Sequence, residues 1–136
     1  MKLYIASDIR HAKRWITFRE KCYPQITVVS SWIDFLKNGE PAGLPEHIIE
    51  QAWDNNITDI ALCEMLLLYH EAGDRMRGVL FEAGIAFALK KQIIFVGDES
   101  VLGTVRVCFQ CAPSMDVVVK ALYEHNLACT PEGTVN

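Results

Sequence analysis

The sequence predicts an α/β domain with a mostly parallel sheet and right-handed crossovers. Two observations carry this. Short runs of β-branched and bulky apolar residues alternate with helical stretches along the chain. A chain of 136 residues that is 51% hydrophobic can also bury a sizeable core in one ordinary domain, and no linker, repeat or low-complexity segment divides it (domain 1–136).

Taken in order, Lys2 to Ala6 reads as a short buried strand. Ser7-Asp8-Ile9-Arg10-His11 is a polar turn that leads into a helix over Ala12 to Cys22. Trp15, Phe18 and Cys22 share one side of that helix, and Lys13, Arg14, Arg19, Glu20 and Lys21 stay wet; Pro24 stops it. Ile26 to Val29 is a second strand. Ser30 to Phe35 and the Gly- and Pro-containing stretch Asn38 to Pro45 form a long excursion of the kind that covers a ligand site. A helix then runs from Pro45 or Glu46 to Thr58 or beyond, with Ile48, Ile49, Ala52, Trp53 and Ile57 as its buried stripe. Asp59 to Cys63 ends that helix or opens the third strand, Met65 to Tyr69.

The next stretch organises the chain. A loop containing Asp74, Arg75 and Arg77 opens a helix from Val79 to Leu89, and Gln92 to Val96 follows as the fourth strand. Leu80, Phe81, Gly84, Ile85, Phe87, Ala88 and Leu89 give that helix a broad apolar face. Val105 to Phe109 is a fifth apolar run. Ser114 caps a last helix with Val118, Ala121 and Leu122 inward. The polar tail, residues 126–136, is expected to fray.

Composition excludes several classes. A net charge of −4 leaves no basic excess for broad nucleic-acid binding. The N-terminus lacks a signal-peptide layout, and the longest apolar stretch, Ile60 to Tyr69, is broken by Glu64 and far short of the ~20 residues of a membrane helix. Five cysteines without a signal sequence point to reduced thiols and a cytoplasmic setting. Cys108-Phe109-Gln110-Cys111 has redox and zinc spacing, but no second pair accompanies it, so both read as ordinary thiols. His11, His47, His70 and His125 show no metal spacing; neither metal nor cofactor is expected.

Glu82 stands one turn into the fourth strand's preceding helix, among apolar and small neighbours. A helix start favours an anion, and in open α/β sheets ligands sit at the carboxyl ends of the strands. A poorly solvated carboxylate there can act on a ligand.

The run Gly78-x-x-x-Glu82-x-Gly84-x-Ala86-x-Ala88, between the apolar strands Met65–Tyr69 and Gln92–Val96, resembles the nucleoside 2-deoxyribosyltransferase-like superfamily. Leu3-Tyr4-Ile5-Ala6-Ser7-Asp8-Ile9-Arg10 resembles the first strand and substrate loop of its nucleoside 5′-monophosphate hydrolase branch; the likeness spans Met1 to about Gly97. The resemblance implies a flavodoxin-like or Rossmann-like three-layer sandwich with five strands in the order 2-1-3-4-5. It implies cleavage or transfer at the N-glycosidic bond of a (deoxy)nucleoside or its monophosphate, in a homodimer or larger oligomer whose partner is a small molecule. Glu82 matches the nucleophile that attacks the anomeric carbon. Tyr4 matches a tyrosine close to it. Gly78 matches the glycine that lets sugar and backbone approach. Ser7, Asp8 and Arg10 fall in the loop that holds the 5′-phosphate. The sequence departs from the pattern at four places: Asn56 stands where the superfamily has an Asp that protonates or orients the base, Met76 replaces an Asp or Ser, Glu64 replaces an Asp, and the loop with Asp74, Arg75 and Arg77 is two residues longer.

Chemistry supports the same reading. Breaking an N-glycosidic bond puts positive charge on the sugar, which a carboxylate opposite the leaving base can trap. An acid assists the base; Asp74 is one candidate, a base-side group the other. Arg10, Arg75 and Arg77 are suited to a phosphate in fork geometry. Two other readings stay open: a non-catalytic module that holds a nucleotide-derived metabolite or signal, and an NAD-cleaving enzyme of the TIR type, which also places a Glu near a strand–loop–helix.

Overall fold

The computed structural model describes residues 1–129, with side chains to residue 124. Five strands form one sheet: β1 (Lys2–Ala6), β2 (Thr27–Val28), β3 (Met65–Tyr69), β4 (Gln92–Val96) and β5 (Gln110–Ala112). Their order is β2-β1-β3-β4-β5, and every pairing is parallel. The expected α/β class and strand order are therefore present. Five α-helices connect and flank them: α1 (Ala12–Cys22), α2 (Trp32–Phe35), α3 (Glu46–Leu62), α4 (Arg77–Ala88) and α5 (Met115–Cys129).

The central strands read as continuous apolar runs because both their faces are covered. Leu3, Tyr4, Ile5, Ala6, Leu66, Leu67 and Leu68 are all 0% exposed, although alternate side chains point to opposite faces. A parallel sheet puts all carboxyl ends on one edge. The segments after β1 and β3 therefore meet there: Ser7 to His11, which closes in a 3-10 turn at Ile9–His11, and His70 to Met76. Gly97 ends β4 beside them. A Cβ there would lie 2.7 Å from the His70 carbonyl oxygen, so glycine lets the two backbones pass.

Five details depart from the sequence reading. The excursion after β2 contains α2, because Trp32 and Ile33 find places in the core and the Trp32 indole donates to the Ile5 carbonyl at 2.8 Å. In α3 the buried residue is Ile60; Ile49 and Ile57 are 44% and 41% exposed, so the predicted stripe there faces partly outward. In α4 the phase is displaced. Val79, Glu82, Ala83 and Ala86 face the sheet, and Phe81 and Phe87 are 60% and 56% exposed. Small residues on the inner face let α4 lie close to β1, β3 and β4. The run Val105 to Cys108 belongs to a 3-10 segment (Glu99–Cys108), and the fifth strand is Gln110–Ala112. On α5 Val118 and Leu122 are buried but Ala121 is exposed. That helix runs on through Cys129, and the rest of the predicted frayed tail, residues 130–136, lies outside the described residues.

Candidate active site

Two elements meet at Glu82. β1 carries Tyr4 on the sheet face that α4 covers, and α4 turns Glu82 inward at the same level. The Tyr4 hydroxyl donates to Glu82 Oε2, and both side chains are buried, Tyr4 at 0% and Glu82 at 7% exposure. Burial pushes the Glu82 carboxyl up to about 7, and the Tyr4 hydrogen bond opposes that rise. Burial, and next the neighbouring Glu82 charge, drive the Tyr4 phenol far above its ordinary range, so Tyr4 stays a neutral donor. The pair is a carboxylate near its titration point with one fixed hydrogen bond.

Glu82 borders a cavity of about 940 Å³ at the carboxyl edge of the sheet. From the predicted site, Ser7, Asp8, Asn56, Arg75, Arg77 and Gly78 line the same cavity. Each is positioned by a local reason. The Ser7 hydroxyl accepts from the Trp15 indole at 2.6 Å and donates to the Asp8 carbonyl at 3.0 Å. Asp8 caps the 3-10 turn by accepting from Arg10 N at 3.1 Å, and its other oxygen accepts from Arg75 N at 2.8 Å. Burial would raise the Asp8 carboxyl, but the donations from the Arg75 and Arg10 backbones and the Arg75 side chain prevail and hold it below the usual carboxylate range. Arg75 reaches on to Glu40 at 3.3 Å. The Arg77 side chain has no hydrogen bond or ion pair among the described residues and stands at the start of α4, which has no side-chain cap. An anion is favoured at such a start. A Cβ on Gly78 would meet only Trp53 Cη2, at an ordinary 3.8 Å, so packing does not demand glycine there; the residue faces the cavity.

Arg10 and Asp74 lie elsewhere. Arg10 Nε donates to Asp74 Oδ1 at 2.5 Å, and its Nη2 donates to the Ala72 carbonyl at 3.1 Å. Asp74, with a side chain 1% exposed, also faces His11 Nε2 at 3.0 Å and accepts from Glu71 N at 2.8 Å. Burial raises its carboxyl, but the Glu71, His11 and Arg10 donors outweigh that and hold it low. Asp74 is an ionised anchor of the β3–α4 loop. Arg14 adds to the clasp through Glu71 at 2.9 Å and by stacking 4.6 Å over the Tyr69 ring. The start of α1 thus fixes the loop that presents Arg75, Arg77 and the α4 start.

Sequence reasoning missed part of the lining. Trp53, read as core, borders the cavity and packs edge-on to Phe81 with ring centres 5.1 Å apart. Gln51 and Asn55 also line it, with Gln51 Nε2 donating to Asn55 Oδ1 at 3.0 Å. Three amides at Gln51, Asn55 and Asn56 on one helix were the available signal. Glu40 gave none. Among the described residues no group of three or more His, Cys, Asp or Glu side chains could hold a metal ion. No helix of the described residues is long and apolar enough to cross a membrane.

No protein-family profile and no curated protein matches this chain. Solved structures do. One is the CMP N-glycosidase BcmB of Clostridium botulinum, with 14% identity, a TM-score of 0.57, and 92% of this chain and 99% of that one covered. Another is a conserved protein of Enterococcus faecalis V583, with 12% identity, a TM-score of 0.63, and 92% and 98% covered. These likenesses extend over nearly the whole length of both chains and concern the fold.

Proposed function

We propose that this protein cleaves or transfers at the N-glycosidic bond of a (deoxy)nucleoside or its 5′-monophosphate, as a member of the nucleoside 2-deoxyribosyltransferase-like superfamily. The observation that carries the reading is the buried Glu82, hydrogen-bonded to Tyr4, at the wall of the cavity. A solved structure of similar fold is a CMP N-glycosidase, which adds support.

In this reading Glu82 is the nucleophile. Its free oxygen bonds to the anomeric carbon as the base leaves, which gives a glycosyl ester; water or an acceptor nucleoside then takes the sugar. Tyr4 holds the other oxygen, so one lone pair stays aimed at the sugar without a conformational search. Only the ionised carboxylate attacks, so the poise of Glu82 near neutrality sets the working pH. Arg77 and the uncapped α4 start take the 5′-phosphate, with Ser7 beside them. Arg75 and Asp8 brace that wall, and Gly78 keeps it open to the sugar. Asn56 orients the base. Asp74, engaged by Arg10 and His11, serves the loop rather than the base. The exposed apolar side chains of Ile49 and Ile57 on α3 and of Phe81 on α4 support assembly as a homodimer or larger oligomer.

The test is incubation with a panel of nucleosides and 5′-monophosphates, with free base measured by chromatography. Glu82→Gln should lower release at least ~10³-fold, because the anionic oxygen that captures the anomeric carbon is gone. A 2-fluoro-2-deoxy sugar analogue should leave a covalent adduct on Glu82. Full activity in Glu82→Gln would reject the nucleophile. Binding of a nucleotide with no base release from wild type would favour the non-catalytic module, to which the Asn56 amide also points.

A further inference from the structure

A glycosidic bond to a neutral base breaks most readily when the departing base receives a proton, and the donor must be acidic, close and unengaged. The side chains around this cavity are arranged differently. Among the described residues, the carboxylates that line it besides Glu82 are Asp8 and Glu40. Asp8 accepts from Arg75 N at 2.8 Å, from Arg10 N at 3.1 Å and from the Arg75 guanidinium at 3.4 Å. Glu40 is already paired with Arg75 at 3.3 Å. The α3 side presents amides, Gln51, Asn55 and Asn56. An amide donates a hydrogen bond but does not release a proton near neutral pH. The remaining walls near α2 and α3 carry Trp32, Phe35 and Trp53. Aromatic faces of this kind attract an organic cation.

We infer that the substrate is an N-glycoside whose base is already cationic, a pyridinium or N-alkylated purine nucleotide, so that the base departs neutral and takes no proton from the protein. The inference rests on the glycosidase reading and narrows it. The step balances without a donor. A Glu82 oxygen bonds to the anomeric carbon as the carbon–nitrogen pair moves onto the ring nitrogen and cancels its charge. Water then bonds to the anomeric carbon, the ester pair returns to Glu82, and one proton passes to solvent per turnover. Trp53 and its neighbours hold the cationic ring before cleavage and the neutral base more weakly afterwards, which favours release.

Two matched pairs test this on the whole protein: 7-methyl-GMP against GMP, and nicotinamide mononucleotide against its reduced dihydro form. Each pair keeps size and phosphate and changes the base charge. The expected result is that the cationic member of at least one pair has a kcat/KM ~10²–10⁴-fold above its neutral partner, the range that protonation by an acid would otherwise supply. The rate on nicotinamide mononucleotide, whose pyridinium ring has no proton to lose, should rise with pH to one plateau and show no alkaline fall. Glu82→Gln should abolish that activity. Release of neutral bases within ~10-fold of the cationic ones, with a bell-shaped pH profile, would show an acid at work. That outcome overturns the inference and leaves the glycosidase standing. No base from any of the four, and no adduct on Glu82 with the fluorinated analogue, would overturn the glycosidase reading and this inference with it.

Discussion

Replacing Glu82 with Gln should make the protein more stable, and only above a certain pH. Burial raises the Glu82 carboxyl from an ordinary 4.5 to about 7 in the folded chain. A raised value means the native state binds its proton more tightly than the unfolded chain does. The stability that protonation contributes is therefore complete below about 4.5, falls away as pH rises, and is gone above about 7. The gap between those values is worth about 3 kcal/mol at ~1.4 kcal/mol per unit. Glutamine has no charge to desolvate and keeps a carbonyl that can accept from Tyr4. Relative to wild type, Glu82→Gln should thus gain up to about 3 kcal/mol between acid and mildly alkaline solution, or on the order of 10 °C in Tm for a chain of this size. The assay is thermal unfolding of both proteins at several pH values between about 4 and 9. Other carboxylates titrate in both proteins alike and cancel in the difference; Asp8, Asp34 and Asp74, all held low, lose their contribution only as pH falls. A difference that does not change with pH would show that Glu82 is not a buried carboxylate poised near neutrality.

Three further outcomes follow from named contacts. Tyr4→Phe removes the donor that lowers Glu82, so the acid limb of activity should move to higher pH, and activity near pH 6 should fall more than near pH 8; an unmoved limb would mean the hydrogen bond does not tune the nucleophile. Arg77→Ala should weaken a 5′-monophosphate by ~1–3 kcal/mol and a free nucleoside hardly at all, whereas Arg10→Ala, which unclasps Asp74, should lower thermal stability and change both ligands alike; equal losses in the Arg77 variant would make that arginine structural. Light scattering at micromolar concentration should give at least twice the chain mass, and Phe81→Glu should reduce it to one chain; a wild-type monomer would reject the assembly.

The strands were legible because a fully buried parallel strand leaves a plain mark. Leu3 to Ala6 and Met65 to Tyr69 contain no residue that water could keep, and Gln92 to Val96 is nearly as apolar. The strand order was not readable from periodicity; it came with the resemblance at Gly78-x-x-x-Glu82-x-Gly84 and matches the observed sheet. The errors on the two long helices α3 and α4 share one cause. Apolar content locates a helix but does not say which of its faces meets the sheet. On α4 the bulky residues suggested one face, and packing chose another, because Ala83 and Ala86 permit the closer approach. On α3 Ile49 and Ile57 marked a stripe that the single chain covers only in part. Arg10 and Asp74 misled for a different reason. Both sit in the loops that edge the cavity, and sequence cannot tell a side chain that points into it from one that ties the loop down.

The displaced phase of α4 is also the strongest link between fold and chemistry. Were the bulky face of α4 turned to the sheet, Glu82 would lie in water with an ordinary carboxyl, and Tyr4 would need another partner. With small residues inward, the helix carries one carboxylate into the core at the level of Tyr4. A buried acid of this kind destabilises the native state whenever it is ionised, and a helix has no structural use for it on its inner face. Tyr4 offsets part of that penalty and does so with a single bond, which leaves the second carboxylate oxygen free. A purely structural carboxylate would be expected to be surrounded by donors, as Asp8 and Asp74 are. The contrast among these three side chains in one small region, two saturated with donors and one held by a lone phenol beside an open cavity, is what favours Glu82 as the group that meets the ligand.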